Sequence, residues 1–204
     1  MTTPVQVVAR VGANLQTPEG LERCRRALEE PLSMTEMQTA LPSVWIGMYS
    51  DAAARVRAAG SLRRWLASTP TRAAVILHRW RPTYGHWICT WLQDDGKLQL
   101  FDSMGNAPDT LQSRQDPTVA ASLGQGRRAL VGGLLRQPAY YNDFALQGAS
   151  TQVCGRWCIL RLRLRNLSED DFALLTGRLA RYFRVPRDVI VCAATLLPRG
   201  VATA

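Results

Sequence analysis

A turn sequence near the middle of the chain constrains the fold more than any other feature. Residues 94–96 read Asp-Asp-Gly, and two runs rich in aromatic and large apolar residues flank them, His86 to Leu92 and Leu98 to Asp102. A loop of this composition between two such runs is typical of a β-hairpin, with the glycine in the left-handed conformation. The sequence therefore predicts an antiparallel pair of strands on either side of this turn.

The length of the turn decides which side chains share a face of the hairpin. A two-residue turn at Asp95-Gly96 would place His86 and Asp102 on opposite faces. A three-residue loop sets Leu92 opposite Leu98 instead. In that register Asp102 becomes the diagonal neighbour of His86 on the same face, about 7–8 Å away between Cα atoms. Because this register also builds a continuous apolar face, we predict the three-residue loop.

Helical patterns lie on both sides of these strands. Thr17-Pro18 reads as an N-cap with proline at the first helical position, and residues 51–67 form a basic helical stretch. Ser168 opens a well-capped helix that runs to about Phe183. The short apolar run from Ala73 to His78 predicts a buried strand. Helices before and after a central group of strands indicate an α+β fold rather than alternating βαβ units.

The composition permits a core and gives the chain a strong positive charge. Hydrophobic residues make up 47% of the sequence, which is enough for a globular domain. The 25 basic residues against 16 acidic ones give a net charge of +9, and Lys97 is the only lysine. Such an arginine-rich chain favours polyanionic partners. The sequence has no apolar run near the roughly 20 residues that cross a bilayer and no recognisable signal peptide, so we expect an intracellular protein with no membrane partner.

The number and positions of the cysteines and histidines limit the kinds of site that this chain can form. Five cysteines in a chain without an export signal favour free thiols over a disulfide framework. Zinc is disfavoured because the chain has only two histidines and no second pair of closely spaced cysteines. His78 lies inside an apolar run and is expected in the core. His86 is therefore the candidate general base, with Asp102 to orient it.

Cys154 is the candidate nucleophile. It is followed by Gly155 and by a segment, residues 156–166, that can form a helix. A helix N-terminus and a nearby imidazole both stabilise a thiolate. Gln147, seven residues earlier, carries an amide that can donate to a developing oxyanion. Taken singly these residues do not decide the function, because most lone cysteines are buried and inert.

Two blocks of the sequence resemble adenain-like cysteine proteases, the family of the adenovirus endopeptidase. Gly85-His86-Trp87, followed by residues 100–105 (LFDSMG), is similar to the His-Trp and Phe-Glu/Asp-x-x-Gly blocks of that family. Residues 147–158 (QGASTQVCGRWC) are similar to its Gln-x6-Cys-Gly-x-x-Cys block. Maturation proteases of large DNA viruses and virus-like transposons look similar too. SUMO-specific proteases share the residue order, but their glutamine lies one residue closer to the cysteine, and adenain itself has glutamate where this chain has Asp102.

The resemblance implies a papain-like, adenain-like α+β fold. In that fold a central antiparallel sheet has the nucleophile-bearing helix packed against it. Residues 161–165 alternate arginine and leucine, a period that by itself favours a strand. The resemblance requires a helix at this position, and we predict the helix, with arginines reaching its margins or an acidic partner.

The resemblance also implies roles for individual residues. A cysteine attacks the scissile carbonyl, a histidine activates the thiol and later protonates the leaving amine, an aspartate orients the histidine, and a glutamine binds the oxyanion together with the cysteine N–H. In this chain those residues would be Cys154, His86, Asp102 and Gln147. Trp87 would pack near the imidazole, and Gly155 would let the start of the helix approach the substrate closely.

These features together predict a single cysteine protease domain over residues 1–204. Residues 1–50 would form a helical arm, 73–166 the catalytic core and 167–204 C-terminal helices. The expected activity is that of a monomeric cysteine endopeptidase that processes viral capsid or core precursors. If the protein is viral, we expect it in the host nucleus or cytoplasm and packaged in the virion. The chemistry requires no cofactor. Stimulation by DNA is favoured by the net charge, and stimulation by a viral peptide is implied by the resemblance alone.

Two alternatives stay open at this stage. One is an isopeptidase that removes ubiquitin-like or SUMO-type modifiers, from the same wider group of enzymes. The other is a basic, non-catalytic virion or nucleic-acid-binding protein, which would bind DNA in a salt-sensitive way without turning over any substrate.

Overall fold

The computed structural model describes residues 2–81, 84–107, 109–110, 115–125 and 139–196. The chain forms two compact units. The first, called the helical unit here, combines Met1–Leu41 with Leu146–Ala204. The second, the sheet unit, is Pro42–Ala145. The single-domain assignment made from the sequence stays a prediction.

The sheet unit is built on a five-stranded sheet with the strands in sequence order. Its strands are β1 (Trp45–Met48), β2 (Ala73–Arg81), β3 (Tyr84–Leu92), β4 (Leu98–Phe101) and β5 (Ala139–Tyr141), and its described helices are α4 (Tyr49–Ala59), α5 (Leu62–Ala67) and α6 (Pro117–Ser122). The described helices of the helical unit are α1 (Pro4–Leu15), α2 (Pro18–Arg26), α3 (Met34–Ala40), α7 (Cys154–Arg163), α8 (Glu169–Phe183) and α9 (Arg187–Thr195). The predicted α+β class is confirmed.

The predicted antiparallel pairing is confirmed for the three central strands, and the two edge strands are parallel to their neighbours. Strands β2, β3 and β4 are antiparallel, but β1 pairs with β2 and β5 pairs with β4 in parallel. Parallel neighbours need a long crossover connection. For β1 and β2 that connection holds α4 and α5, whose helical pattern was visible in the sequence without showing which strands they join.

The central hairpin has the predicted register. Leu92 pairs with Leu98, the Gln93 N–H donates to the Lys97 carbonyl at 2.9 Å, and Gly96 closes the loop with φ of +80°. Only a residue without a Cβ adopts that φ at little cost. The three-residue loop is therefore confirmed.

One face of the sheet carries the apolar core of the sheet unit. Alternate residues of β2, β3 and β4 point to it, and α4 and α5 pack there. Its buried members include Tyr49, Ala52, Ala53, Val56, Leu62, Trp65, Leu66, Ala74, Ile76, Leu92, Leu98 and Leu100. This packing fixes the register, because a slip of one residue would turn the apolar row of each strand to the other face.

The helical stretch predicted over residues 51–67 is two helices. Helix α4 ends at Ala59 and is followed by Gly60, which has φ of +80°. Helix α5 begins after Ser61, whose hydroxyl accepts from the Arg64 N–H. The left-handed glycine stops the first helix and the serine caps the second.

Helix α9 is the centre of the helical unit and contacts α1, α2, α7 and α8. Helix α7 is buried along residues 154–162. The helix predicted for the arginine–leucine alternation is confirmed for residues 161–163, because α7 ends at Arg163 and Leu164 is its C-cap. Arg161 reaches the margin of this helix: its guanidinium donates to the Leu164 and Leu167 carbonyls and lies over the Phe172 ring. None of the helices in the described ranges is long and apolar enough to cross a membrane.

Candidate active site

His86 and Asp102 form a buried pair in the sheet unit. The His86 Nε2 atom lies 2.7 Å from Asp102 Oδ1, and the two residues are 2% and 6% exposed. The predicted diagonal arrangement is confirmed, since β3 supplies the histidine and Asp102 follows the last residue of β4. Because an ionised carboxylate only accepts hydrogen bonds, this contact assigns a proton to Nε2 and leaves the lone pair of the neutral ring on Nδ1.

The Asp102 carboxylate is held in place by three donors. Oδ1 also accepts from the Met104 N–H at 2.8 Å, and Oδ2 accepts from the Asn106 side-chain amide at 3.1 Å. Gly105 makes the tight turn between these two residues with φ of +71°, and a Cβ there would lie 2.5 Å from the Phe144 carbonyl carbon. These bonds fix the direction of the carboxylate.

Asn142 fixes the backbone of Asp102. Its side-chain oxygen accepts from the Asp102 N–H at 3.0 Å, while its amide donates to the carbonyls of Asp102 and Phe144. Asn142 follows directly after β5 and is 1% exposed. Sequence analysis missed both Asn106 and Asn142. Closeness in the sequence could have indicated Asn106, which lies four residues after Asp102. Asn142 lies 40 residues after Asp102, and no local pattern connects the two.

Trp80 stacks on the His86 ring. The ring centroids are 6.0 Å apart and the planes differ by 16°. Trp80 lies two residues beyond His78, the register partner of His86, at the point where the pairing of β2 with β3 shifts between Arg79 and Arg81. Sequence analysis assigned the aromatic neighbour of the imidazole to Trp87. That residue follows His86 directly on β3, so its side chain points to the opposite face of the sheet, where it is 3% exposed. The site-shaping role of Trp87 stays a prediction.

His78 is buried, as the sequence analysis predicted, but it has a different environment from His86. Neither ring nitrogen has a hydrogen-bond partner, and the ring packs edge-on against Tyr49. The pKa of His78 is lowered from 6.5 to about 4, chiefly by burial and also by the electrostatic interaction with His86, while Asp109 and Asp102 oppose the shift. His78 also lines a cavity with Tyr49, Asp102 and Asp109. At neutral pH it is an uncharged core histidine.

Cys154 is the first residue of α7 in the helical unit. It is 7% exposed, and the first turn of the helix contains no acidic residue. Gly155, the second helical residue, is buried.

Gln147 lies on the loop that precedes α7. Its side-chain Nε2 donates to the Thr151 carbonyl at 2.7 Å. The loop is anchored where the Gln152 N–H donates to the Leu28 carbonyl at 2.8 Å. Of the predicted residues, the structure brings His86 and Asp102 into contact in the sheet unit, and it places Gln147 and Cys154 seven residues apart on one loop and helix start in the helical unit.

The other cysteines are buried free thiols. Burial raises the pKa of Cys24 to about 11 and that of Cys192 to about 12, with Arg156 opposing the shift in both. A thiol with such a pKa is unreactive near neutral pH. Among the residues that the structure describes, no cluster of three cysteine, histidine or acidic residues is placed to hold a metal ion.

The fold and the histidine–aspartate pair define an α+β protein with a candidate catalytic dyad. The chain belongs to the same family as the uncharacterized protein V9 of Sputnik virophage, to which it is 31% identical over 131 residues, 62% of this chain and 75% of V9. No family model matches the sequence. Among solved structures it is similar to the SUMO protease Ulp1 with its catalytic cysteine oxidised to a sulfinic or a sulfenic acid. These two matches have TM-scores of 0.38 and 0.39, with 13% identity and 95% of each chain covered.

Proposed function

We propose that this protein is a cysteine endopeptidase in which Cys154 is the nucleophile, His86 the general base and acid, Asp102 the orienting carboxylate and Gln147 an oxyanion-hole donor. The observation that carries the proposal is the 2.7 Å contact between His86 Nε2 and Asp102 Oδ1. The three-residue loop of the central hairpin brings the two side chains to the same face. A buried imidazole with its tautomer fixed by a carboxylate is the arrangement that a general base requires.

In the proposed reaction His86 accepts and returns protons through its Nδ1 atom. Nδ1 of the neutral ring takes the proton of the Cys154 thiol, and the resulting imidazolium is stabilised by Asp102. The thiolate attacks the scissile carbonyl carbon, and the carbonyl electron pair moves to oxygen, where Gln147 and the Cys154 N–H donate to it. Collapse of this intermediate breaks the C–N bond as Nδ1 returns the proton to the leaving amine. Water, deprotonated by the same nitrogen, then hydrolyses the thioester.

The proposed substrates are proteins. The virophage relative supports a viral origin, and on that basis we propose processing of structural precursors during particle assembly. Stimulation by DNA is part of the proposal, and the net charge of +9 supports it. Its signature would be a stimulation that falls steeply between about 50 and 200 mM salt.

The proposal is tested by cleavage of a complex peptide library, with products identified by mass spectrometry. The wild-type protein, Cys154→Ser and Cys192→Ala are compared with and without duplex DNA. Cys192 is a matched control because it is a buried thiol with a pKa of about 12. We expect new peptide termini from the wild type and Cys192→Ala but not from Cys154→Ser. The absence of new termini under all conditions would contradict the proposal.

A second substrate arm separates an endopeptidase from an isopeptidase. It uses a ubiquitin-like modifier that ends in glycine, fused to a reporter through its terminal carboxyl group. Release of the reporter at a rate far above the rate of library cleavage would reassign the protein to the deconjugating enzymes. Library cleavage with an intact fusion supports the endopeptidase.

A further inference from the structure

A buried carboxylate on α9 holds the loop that carries Gln147. Asp188 lies in the first turn of α9 and is 4% exposed. It accepts three hydrogen bonds: from the Gly148 N–H at 2.9 Å, from the Thr151 hydroxyl at 2.8 Å and from the Trp157 indole N–H at 2.7 Å. We infer that Asp188 is a positioning residue for the proposed oxyanion hole; the inference rests on the proposed function.

Burial of the Asp188 carboxylate costs solvation free energy, and the groups that donate hydrogen bonds to it indicate its structural role. An ionised carboxylate moved out of water needs compensating donors. Within the described ranges Asp188 makes no ion pair, and its three donors are neutral groups. Two of them belong to the loop before Cys154, and the third belongs to α7, the helix that Cys154 begins. The carboxylate therefore ties this loop to the nucleophile-bearing helix.

The contacts continue from Asp188 to the Gln147 side chain. Gly148, directly after Gln147, places its N–H on Asp188 Oδ2, which fixes the backbone at that point. Thr151 places its hydroxyl on the same oxygen, while its carbonyl accepts from Gln147 Nε2 at 2.7 Å. Asp188 thus controls both the backbone beside the glutamine and the group that its amide contacts.

Gly148 shows how tight this arrangement is. A Cβ at this position would lie 3.0 Å from Asp188 Oδ2. That distance is shorter than an ordinary carbon–oxygen contact, so a side chain at residue 148 would push the carboxylate away from the backbone N–H. Glycine is the residue that allows the bond to form.

Asp188 touches none of the proposed reacting atoms, so its loss should act through the position of the loop that carries Gln147. In Asp188→Asn one carboxylate oxygen is replaced by an NH2 group, which donates hydrogen bonds and does not accept them. The side chain can therefore no longer accept from both the Gly148 N–H and the Trp157 indole N–H. We expect kcat for peptide hydrolysis to fall about 10- to 100-fold with KM changed less than about threefold, which is less than the roughly 10²- to 10³-fold loss on removal of an oxyanion-hole donor itself. Binding of a peptide aldehyde, whose hemithioacetal oxygen mimics the oxyanion, should weaken by the same factor.

Alkylation of Cys154 by iodoacetamide separates positioning from general structural damage. This reaction depends on the thiolate and develops no oxyanion at a carbonyl carbon. We expect the alkylation rate and its pH profile in Asp188→Asn to match the wild type within about twofold. Gln147→Ala should show the same pattern, and the double variant should be no worse than Gln147→Ala alone, because both remove one element.

Trp157→Phe is the matched control, since it removes the donor on α7 and leaves both loop donors in place. It should lower kcat less than Asp188→Asn does. Thr151→Val provides a second test if Asp188→Asn does not fold. Alkylation that slows in parallel with turnover, or turnover unchanged in both Asp188→Asn and Thr151→Val, would overturn the inference.

A wild-type protein without peptidase activity would overturn the proposed function and, with it, the catalytic purpose of Asp188. Hydrogen exchange of the Gly148 amide distinguishes failure of the proposed peptidase function from failure of the positioning role of Asp188. Faster exchange in Asp188→Asn, combined with an inactive wild type, would mean that the carboxylate orders the loop for some other purpose.

Discussion

The two histidines of this protein lie opposite each other on neighbouring strands, yet their surroundings differ in one decisive respect. His78 and His86 are register partners of β2 and β3, and both are at most 2% exposed. Asp102 contacts His86, whereas neither ring nitrogen of His78 has a hydrogen-bond partner. Burial alone keeps an imidazole neutral, because it penalises the charged form. A buried imidazole can accept a proton during catalysis only where a carboxylate compensates the charge, and the strand end of β4 provides one on the His86 side.

The largest expected effect is the difference in peptidase activity between variants of the two histidines. His86→Ala removes the proposed base and should lower kcat/KM for peptide cleavage by at least about 10³-fold. His78→Leu keeps a buried side chain of comparable volume and should change kcat/KM less than about threefold. Steady-state kinetics of both purified variants measures the difference. Equal losses in the two variants would break the comparison.

The next effect tests the carboxylate itself. Asp102→Asn preserves the shape of the side chain but can present its amide to His86 Nε2, which favours the tautomer with the proton on Nδ1. We expect kcat to fall by about 10²- to 10⁴-fold, with the larger loss at low pH, where the imidazolium loses its compensating charge. A pH profile of kcat from 5 to 9 checks this. An unchanged profile would mean that the 2.7 Å contact has no role in proton transfer.

The third effect concerns stability and belongs to His78. Its pKa is about 4 in the folded protein against an ordinary value of 6.5. Above pH 6.5 neither state binds the proton, and between pH 6.5 and pH 4 only the unfolded state does. The free energy of unfolding should therefore drop as the pH falls through this window, by about 3 kcal/mol in total. His78→Leu should lack this contribution.

Urea denaturation at pH 7, 5.5 and 4.5 measures the contribution of His78 as the difference in the free energy of unfolding between the wild type and His78→Leu. Carboxylates titrate in the same range, but they do so in both proteins and cancel in the comparison. A difference that stays constant with pH would show that His78 keeps its ordinary pKa in the folded state.

The smallest effect tests the stacking partner of His86. Trp80→Leu removes the ring whose plane lies 16° from that of the imidazole and leaves the Asp102 contact intact. Aromatic pairs contribute about 0.5–1.5 kcal/mol beyond their area. We expect kcat to fall by about three- to tenfold through looser orientation of the ring. A loss as large as that of Asp102→Asn would mean that Trp80 takes part in substrate binding as well.

Local sequence signals predicted the part of the site that depends on one hairpin. The Asp94-Asp95-Gly96 turn and the alternation of its strands are sufficient to bring His86 and Asp102 to one face. Capping residues such as Ser168 likewise located the start of α8. These features involve residues within about 20 positions of each other, where the chain geometry leaves few alternatives.

Contacts between distant segments escaped the sequence analysis. Trp80 reaches His86 only through the register of β2 and β3, which no turn sequence had specified. Asn142 reaches Asp102 because β5 is parallel to β4, and Asp188 reaches Gly148 because α9 packs near the start of α7. Each of these residues is an ordinary polar or aromatic side chain in the sequence, and only the packing of separate elements gives it a role.

The central claim is that Cys154 is a thiol activated by the histidine that Asp102 holds. It is tested most directly by the rate of iodoacetamide alkylation at each cysteine across pH 4 to 9, located by peptide mass spectrometry, in the wild type and His86→Ala, with and without DNA. We expect rapid alkylation of Cys154 near pH 6 that slows in His86→Ala, while the buried thiols Cys24 and Cys192 stay unreacted. Alkylation of Cys154 at the rate of those buried thiols, with or without DNA, would contradict this claim.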